Sequence, residues 1–201
     1  MRLAGGEPIN LGIARDTPES FKTHLEHARD ADLLVTTAGI SVGEHDYVRS
    51  VLEEMGVTQR FWKLRMRPGA PVGFGLLGDV PWIGLPGNPV STMVTFELFV
   101  RPAIRAMAGH ALPFRRAVRV RAAEPIVLKP KLQHFLRAVV TPTGDGFEAR
   151  LTGPQGSGIL TSMVKANALL VVPEGQHETP VGAGLDAILL HDPVHVDAPP
   201  F

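Results

Sequence analysis

The strongest constraint on this chain is a change of hydrophobic rhythm near Gly109. Before it, short apolar runs alternate with segments patterned at helical spacing, the order expected of a parallel α/β sheet. After it, apolar and polar residues alternate over short stretches separated by turns, as in a small β-barrel or sandwich. The 201 residues suffice for one large domain or two of about 100 residues each. The change of rhythm divides them into an α/β domain over 1–109 and an all-β domain over 110–201.

In the first part, Ile9 to Ile13 reads as a short strand. It leads to Asp16-Thr17-Pro18-Glu19, where Thr17 suits the N-cap and Pro18 the first helical position. Phe21, Leu25 and Ala28 recur at helical spacing, which predicts an amphipathic helix over 18–30. Leu33 to Thr37 is a strand apolar enough to be covered on both faces. The glycine-bearing loop from Ala38 to Gly43 follows, then a helix from about Glu44 to Met55. Residues 57 to 77 read as extended, with a turn at Pro68-Gly69, and Val80 to Leu85 as a strand. Pro86-Gly87-Asn88-Pro89 opens a helix over about 90–108 that is apolar nearly all round and so expected to be buried, with a kink at Pro102. In the second part, strands are expected around 118–122, 135–141, 147–152, 168–172 and 185–190, with a short helix over 159–165 and a loose tail from His191 to Phe201.

Composition narrows the function. Twenty basic residues balance twenty acidic ones, against a protein built mainly to grip nucleic acid or an anionic membrane. No run approaches the roughly 20 apolar residues of a membrane helix, and the start lacks the apolar core of a secretory signal. With no cysteine there is no disulfide framework, zinc–thiolate site, iron–sulfur cluster or thiol nucleophile, and the expected location is the cytoplasm. The 21 glycines and 18 prolines predict many tight turns.

The densest chemical signal is the segment from Thr36 to Tyr47, which holds Gly39, Ser41, Gly43 and Asp46. A strand ends, glycines admit close backbone approach, and a helix begins with free N–H groups facing the gap. This arrangement suits a phosphate or other oxyanion at the carboxyl edge of a parallel sheet. An ordinary turn with Ser41 as cap gives the same pattern. Asp16, past the first strand, and Asp46 can face one crevice, and Mg2+ is commonly held by one or two carboxylates plus substrate phosphates. Helix capping by Asp16 and a first-turn acid at Asp46 are the plainer alternatives. Lys63, Arg65 and Arg67 alternate with Leu64 and Met66, so on a strand the three cations point one way and suit a multiply charged anion. A solvated strand face explains Arg65 as well. Asn88 either hydrogen-bonds a ligand or stabilises its turn. The histidines read as structural or solvated, because Pro193 between His191 and His195 rules out a helical zinc spacing.

Together these motifs resemble the MoeA family of molybdopterin molybdenumtransferases, with relatives in the gephyrin E domain. The likeness is carried by LGIARDTPES (11–20), DLLVTTAGISVGEHDYV (32–48), FWKLRMRPGAPVGFG (61–75), GLPGNPVSTMVTFELFVRPAI (84–104) and GPQGSGILTSMVKANALLVVPEG (153–175). The resemblance implies a three-layer, parallel-sheet MogA-like molybdopterin-binding domain, incomplete at its N-terminus, followed by a small β-barrel. It implies a transferase of molybdenum cofactor biosynthesis that inserts molybdenum from molybdate into adenylylated molybdopterin, with Mg2+-dependent hydrolysis of the adenylyl bond. On this resemblance Asp16, Asp46 and Lys63 are the expected catalytic residues, with Asp16 and Asp46 holding the metal. Lys63 and Arg67 are expected to contact phosphate or molybdate. Thr37, Gly39, Ser41 and Gly43 would line the pterin-phosphate pocket, and Pro86, Gly87, Asn88, Pro89 and Ser91 would close it. No side-chain nucleophile is needed.

Three departures stand out. Ala38 and Ala70 replace a frequent glycine and lysine, and members run to about twice this length. The resemblance therefore implies a C-terminal fragment lacking two domains and the first strand–helix of the α/β domain, not expected to turn over alone. In the full-length protein a homodimer is implied, with a molybdopterin adenylyltransferase as a possible partner. The alternatives are that this chain is itself a molybdopterin adenylyltransferase, or a non-catalytic scaffold or interaction module.

Overall fold

The structure, a computed structural model, describes residues 1–28, 30–40, 47–129, 131–192 and 195–201. It divides into two compact units. The first comprises Met1–Leu64 and Gly69–Ile104, the second Arg65–Pro68 and Arg105–Phe201.

In chain order the first stretch carries α1 (Pro18–Glu26), β1 (Leu34–Thr37), α2 (Tyr47–Glu54), β2 (Val57–Phe61), β3 (Met66–Arg67), β4 (Gly73–Leu77) and β5 (Val80–Leu85). A long helix follows as α3 (Pro89–Thr95), a π turn (Phe96–Val100) and α4 (Arg101–Met107). β3 belongs to the second unit. The remaining strands form one sheet in the order β1-β5-β4-β2. β1 runs parallel to β5, with Leu34 opposite Trp82 and Thr37 opposite Leu85. β5-β4 and β4-β2 are antiparallel.

Alternation along these strands splits the core in two. Leu34 and Trp82 face one side, with Leu25, Val48, Val51 and Leu52 of α1 and α2. Val35, Ile83 and Leu85 face the other, against Phe96, Val100 and Ile104 of the long helix. The result is helix, sheet and helix in three layers. Trp82 is fully buried, and its Nε1–H donates to Thr36 Oγ1 at 3.1 Å. Its indole lies over Gly84, where a Cβ would stand 2.5 Å from the ring.

Several expectations need correction. Ile9 to Ile13 forms no strand. Ile9 is 74% and Ile13 94% exposed, and only Leu11 packs against the core. The segment has the right residue types but no neighbouring strand to complete a ladder, and extended backbone persists as a strand only when its N–H and C=O groups are paired. α1 ends at Glu26 rather than at residue 30. The long helix is buried on one side only: Val90, Val94, Leu98 and Val100 are inside while Met93 is 42% exposed. Next to Pro102, the expected site of a kink, a π turn ends directly before Arg101-Pro102, with the Arg101 N–H donating to Phe96 O. Pro102 has no N–H to offer the preceding turn, and the register slip upstream absorbs that loss.

The second unit contains β3, β6 (Phe114–Arg115), β7 (Ala117–Ala122), β8 (Ile126–Val127), β9 (Gln133–Thr143), β10 (Gly146–Leu151), α5 (Leu160–Lys165), β11 (Ala168–Val172), β12 (Glu178–Thr179), β13 (Gly184–Leu189) and β14 (His195–Val196). Strands β9, β10, β7, β13 and β11 close on themselves into a five-stranded barrel, because β9 pairs with both β10 and β11. Leu136, Ala138 and Val140 of β9 point inward, to Val120, Ala149, Leu170, Leu185 and Ala187. Closure removes the exposed edges that a short open sheet would leave. Where β9 leaves β11 and joins β10, Asn167 bridges the gap. Its Oδ1 accepts from the Val140 N–H at 2.7 Å and its Nδ2 donates to Val140 O at 2.9 Å.

β3 extends the sheet in parallel with the start of β9, Arg67 standing opposite His134. The tail is not loose. β14 pairs with β6, Asp192 accepts from Arg116 at 2.5 Å, and Phe201 meets Phe135 edge-on at 5.5 Å. Among the described residues no helix is long and apolar enough to cross a membrane.

Candidate substrate-binding site

Because β1 and β5 are parallel neighbours, both deliver their following turns to the same edge of the sheet, the edge where such sheets place ligands. Thr37 is the exposed last residue of β1. The Ala38 N–H donates to Leu85 O at 3.0 Å, so the first turn is fastened to the end of β5. Ala38 and Gly39 both take left-handed backbone, φ +70° and +73°. At Gly39 a side chain is excluded twice over, since a Cβ would also lie 2.7 Å from Val48 Cγ2. On the second turn a Cβ at Gly87 would lie 3.1 Å from Ala38 Cβ. The two turns are thus in mutual contact, which the sequence could show only as two separate motifs.

Pro86 is buried while Gly87, Asn88 and Pro89 are exposed, and Ser91 is buried in the first turn of α3. Asn88 stands at the N-cap without a capping side-chain bond, so the helix does not use its amide. Ser41, Gly43 and Asp46 lie outside the described residues.

Asp16 is exposed and does not cap α1. Thr17 does so, its Oγ1 accepting from the Ser20 N–H at 3.3 Å. Ser20 Oγ accepts from the Arg15 N–H at 2.9 Å, which fixes the approach to the helix. Asp16 therefore precedes a helix but follows irregular chain, not the expected strand. His24 is half-buried, with Nδ1 2.7 Å from Ser20 O.

Lys63, Arg65 and Arg67 are exposed and the residues between them more buried, so the expected alternation is present. Only Arg67 is in a strand, however, and Lys63 falls in the first unit whereas Arg65 and Arg67 fall in the second. Arg65 is paired with Glu174.

The second unit holds a cation that motif reading missed. Arg137 on β9 is fully buried, its Nε 3.0 Å from Ser162 Oγ and its Nη2 3.1 Å from Gly156 O. Nη1 has no partner, and among the described residues no carboxylate pairs with the guanidinium. Burial pushes its pKa below the usual arginine value. A buried charge without a counter-charge is costly. In the sequence Arg137 is one residue of the expected 135–141 strand, with no motif around it. The only signal was the turn-rich stretch 153–158, which covers it. A shallow hollow lined by Ala123, Val139, Thr141, Glu148 and Arg150 contains none of these residues.

Among the described residues no group of three or more His, Asp or Glu side chains is placed to hold a metal. Asp16 presents an exposed carboxylate, a group that fits an ion shared with substrate phosphates, since Mg2+ in such sites takes one or two carboxylates and completes its shell with phosphate and water.

Paired turns in contact at one edge of a three-layer sheet, followed by a closed barrel, define a two-module α/β plus β protein. Residues 1–106 match the family described as "Probable molybdopterin binding domain", and residues 119–190 the "MoeA C-terminal region (domain IV)". The chain is 32% identical over 196 residues to a molybdopterin molybdenumtransferase of a Nostoc species, covering 94% of this chain and 44% of that protein. The enzyme of the same name from Haemophilus influenzae is 34% identical over 180 residues, covering 88% and 44%. The crystal structure of the molybdopterin biosynthesis MoeA protein from Pyrococcus horikosii superposes with a TM-score of 0.74 at 28% identity, covering 94% of this chain and 45% of that one. The chain belongs to the MoeA family. It spans a little under half the length of the relatives it matches.

Proposed function

We propose that this chain is the substrate-binding portion of a molybdopterin molybdenumtransferase, taking adenylylated molybdopterin and molybdate as substrates and transferring molybdenum to the pterin dithiolene. The observation that carries the reading is the contact between the Ala38-Gly39 turn and the Pro86–Pro89 turn at one sheet edge, in a chain of this family. The α/β domain over 1–109 binds the pterin and its phosphates through Thr37, Gly39, Ser41, Gly43, Asn88 and Ser91. Lys63 and Arg67 neutralise phosphate or molybdate charge, and the unpaired Arg137 adds a second anion position within the barrel domain over 110–201. Asp16 and Asp46 hold Mg2+, which when bound supplies positive charge beside the phosphoryl oxygens. The match of the second module to the MoeA C-terminal region favours this reading over an adenylyltransferase. In the longer protein the reading includes a homodimer, a cytoplasmic setting and transfer of substrate from a molybdopterin adenylyltransferase.

Calorimetric titration of the chain with adenylylated molybdopterin, with and without Mg2+, tests the reading. Binding in the micromolar range, about −8 kcal/mol, that weakens without Mg2+ is expected. Asp46→Ala is expected to remove the Mg2+ dependence while the melting temperature stays within a degree or two. No binding at millimolar ligand, or an unaltered Mg2+ response in Asp46→Ala, would refute the respective part.

A further inference from the structure

Asparagine is among the preferred N-cap residues because its side-chain oxygen accepts from an N–H of the first helical turn. Asn88 occupies that position, with φ −67° and ψ 123°, yet makes no such bond. The turn is held instead by Thr92. Its Oγ1 lies 2.5 Å from Pro86 O and 3.0 Å from Asn88 O, and its backbone N–H donates to Asn88 O at 2.9 Å. A helical threonine ordinarily returns its hydroxyl to the carbonyl three or four residues back. Here the same hydroxyl also reaches the carbonyl six residues back, so one side chain spans both flanks of Gly87.

We infer that Thr92 is a positioning residue: its hydroxyl fixes the Pro86–Asn88 turn and so releases the Asn88 amide, with its donor and acceptor, to the ligand. The inference rests on the proposed function, which puts the ligand at this turn. Thr92 acts through Asn88 and needs no contact with substrate.

Three variants of the chain test it. Thr92→Val keeps the branched shape and removes the hydroxyl, whereas Thr92→Ser keeps the hydroxyl. Thr95→Ala deletes a comparable bond one turn further along, from Thr95 Oγ1 to Ser91 O at 2.7 Å. Amide exchange and titration with adenylylated molybdopterin are read on each. In Thr92→Val, exchange at Gly87 and Asn88 is expected to rise about tenfold and affinity to fall at least about fivefold. Thr92→Ser restores both, and Thr95→Ala lowers the melting temperature without moving either. Unchanged exchange in Thr92→Val overturns the inference, as does faster exchange with unchanged affinity. If the wild-type chain binds and Thr92→Val binds equally, the inference alone fails. If the wild-type chain does not bind, the proposed function fails and Thr92's role toward a ligand fails with it.

Discussion

Ala38 holds a left-handed backbone at φ +70°, a conformation that costs a residue with a Cβ about 1–2 kcal/mol. The methyl it places there touches the Gly87 turn. Ala38→Gly is therefore expected to stabilise the first unit by about 0.5–1 kcal/mol, the relieved strain exceeding the extra freedom that glycine gives the unfolded chain. Urea denaturation followed by fluorescence of Trp62 and Trp82, which lie in contact at 5.8 Å, reads that change. If the strained turn also shapes the ligand pocket, the same substitution weakens ligand binding while raising stability. Arg137 is the opposite case, a costly buried group whose Nη1 has no partner. Arg137→Met is expected to leave stability within about 1 kcal/mol of the parent or above it, because apolar side chains commonly replace buried charges without loss. Millimolar molybdate should raise the melting temperature of the parent and not of this variant. The Pro86–Pro89 turn was legible because its cause is local, in proline and glycine chemistry. Arg137 was not, because its burial is created by the 153–162 stretch folding over it.

At the scale of elements, the strands over 80–85 and 168–172 end where their apolar runs end, since each is bounded by turn residues and paired on both sides. Ile9 to Ile13 has equally good strand composition and fails, because β structure is a property of pairs and the partner is not written in the segment itself. The closed barrel was expected in outline, but its joint was not. Asn167 serves as a piece of strand backbone, offering Val140 one acceptor and one donor on the side where the β11 ladder has already ended. Asn167→Ala leaves both Val140 groups without partners in a half-buried position. At about 1–2 kcal/mol for each group stranded, it should cost the barrel roughly 2–4 kcal/mol. Hydrogen exchange at Val140 should report the opening first.

At the scale of the whole molecule, the match with MoeA relatives covers nearly all of this chain and less than half of theirs, enough to fix the family but not the activity. The expectation of two domains came from a rhythm that changes once, near Gly109. The chain itself changes allegiance three times: it enters the second unit at Arg65, returns to the first at Gly69 and leaves again after Ile104. A hydrophobic pattern could not announce the early excursion, because two residues of β3 are too few to carry a period.

That excursion also bears on how the two halves can have been assembled. A barrel appended to an α/β domain by end-to-end joining of genes would own every one of its strands. Here the closed five-stranded barrel is extended by β3, which comes from an internal loop of the other half, with Arg65 of that loop tied to Glu174. A peptide cut anywhere between 105 and 117 would therefore yield a C-terminal piece that keeps the five closing strands but lacks β3 beside β9, and an α/β half still carrying the 65–68 segment. One strand of the second unit's sheet is thus spelled inside the sequence of the first, and inheritance of the barrel alone would leave that strand behind.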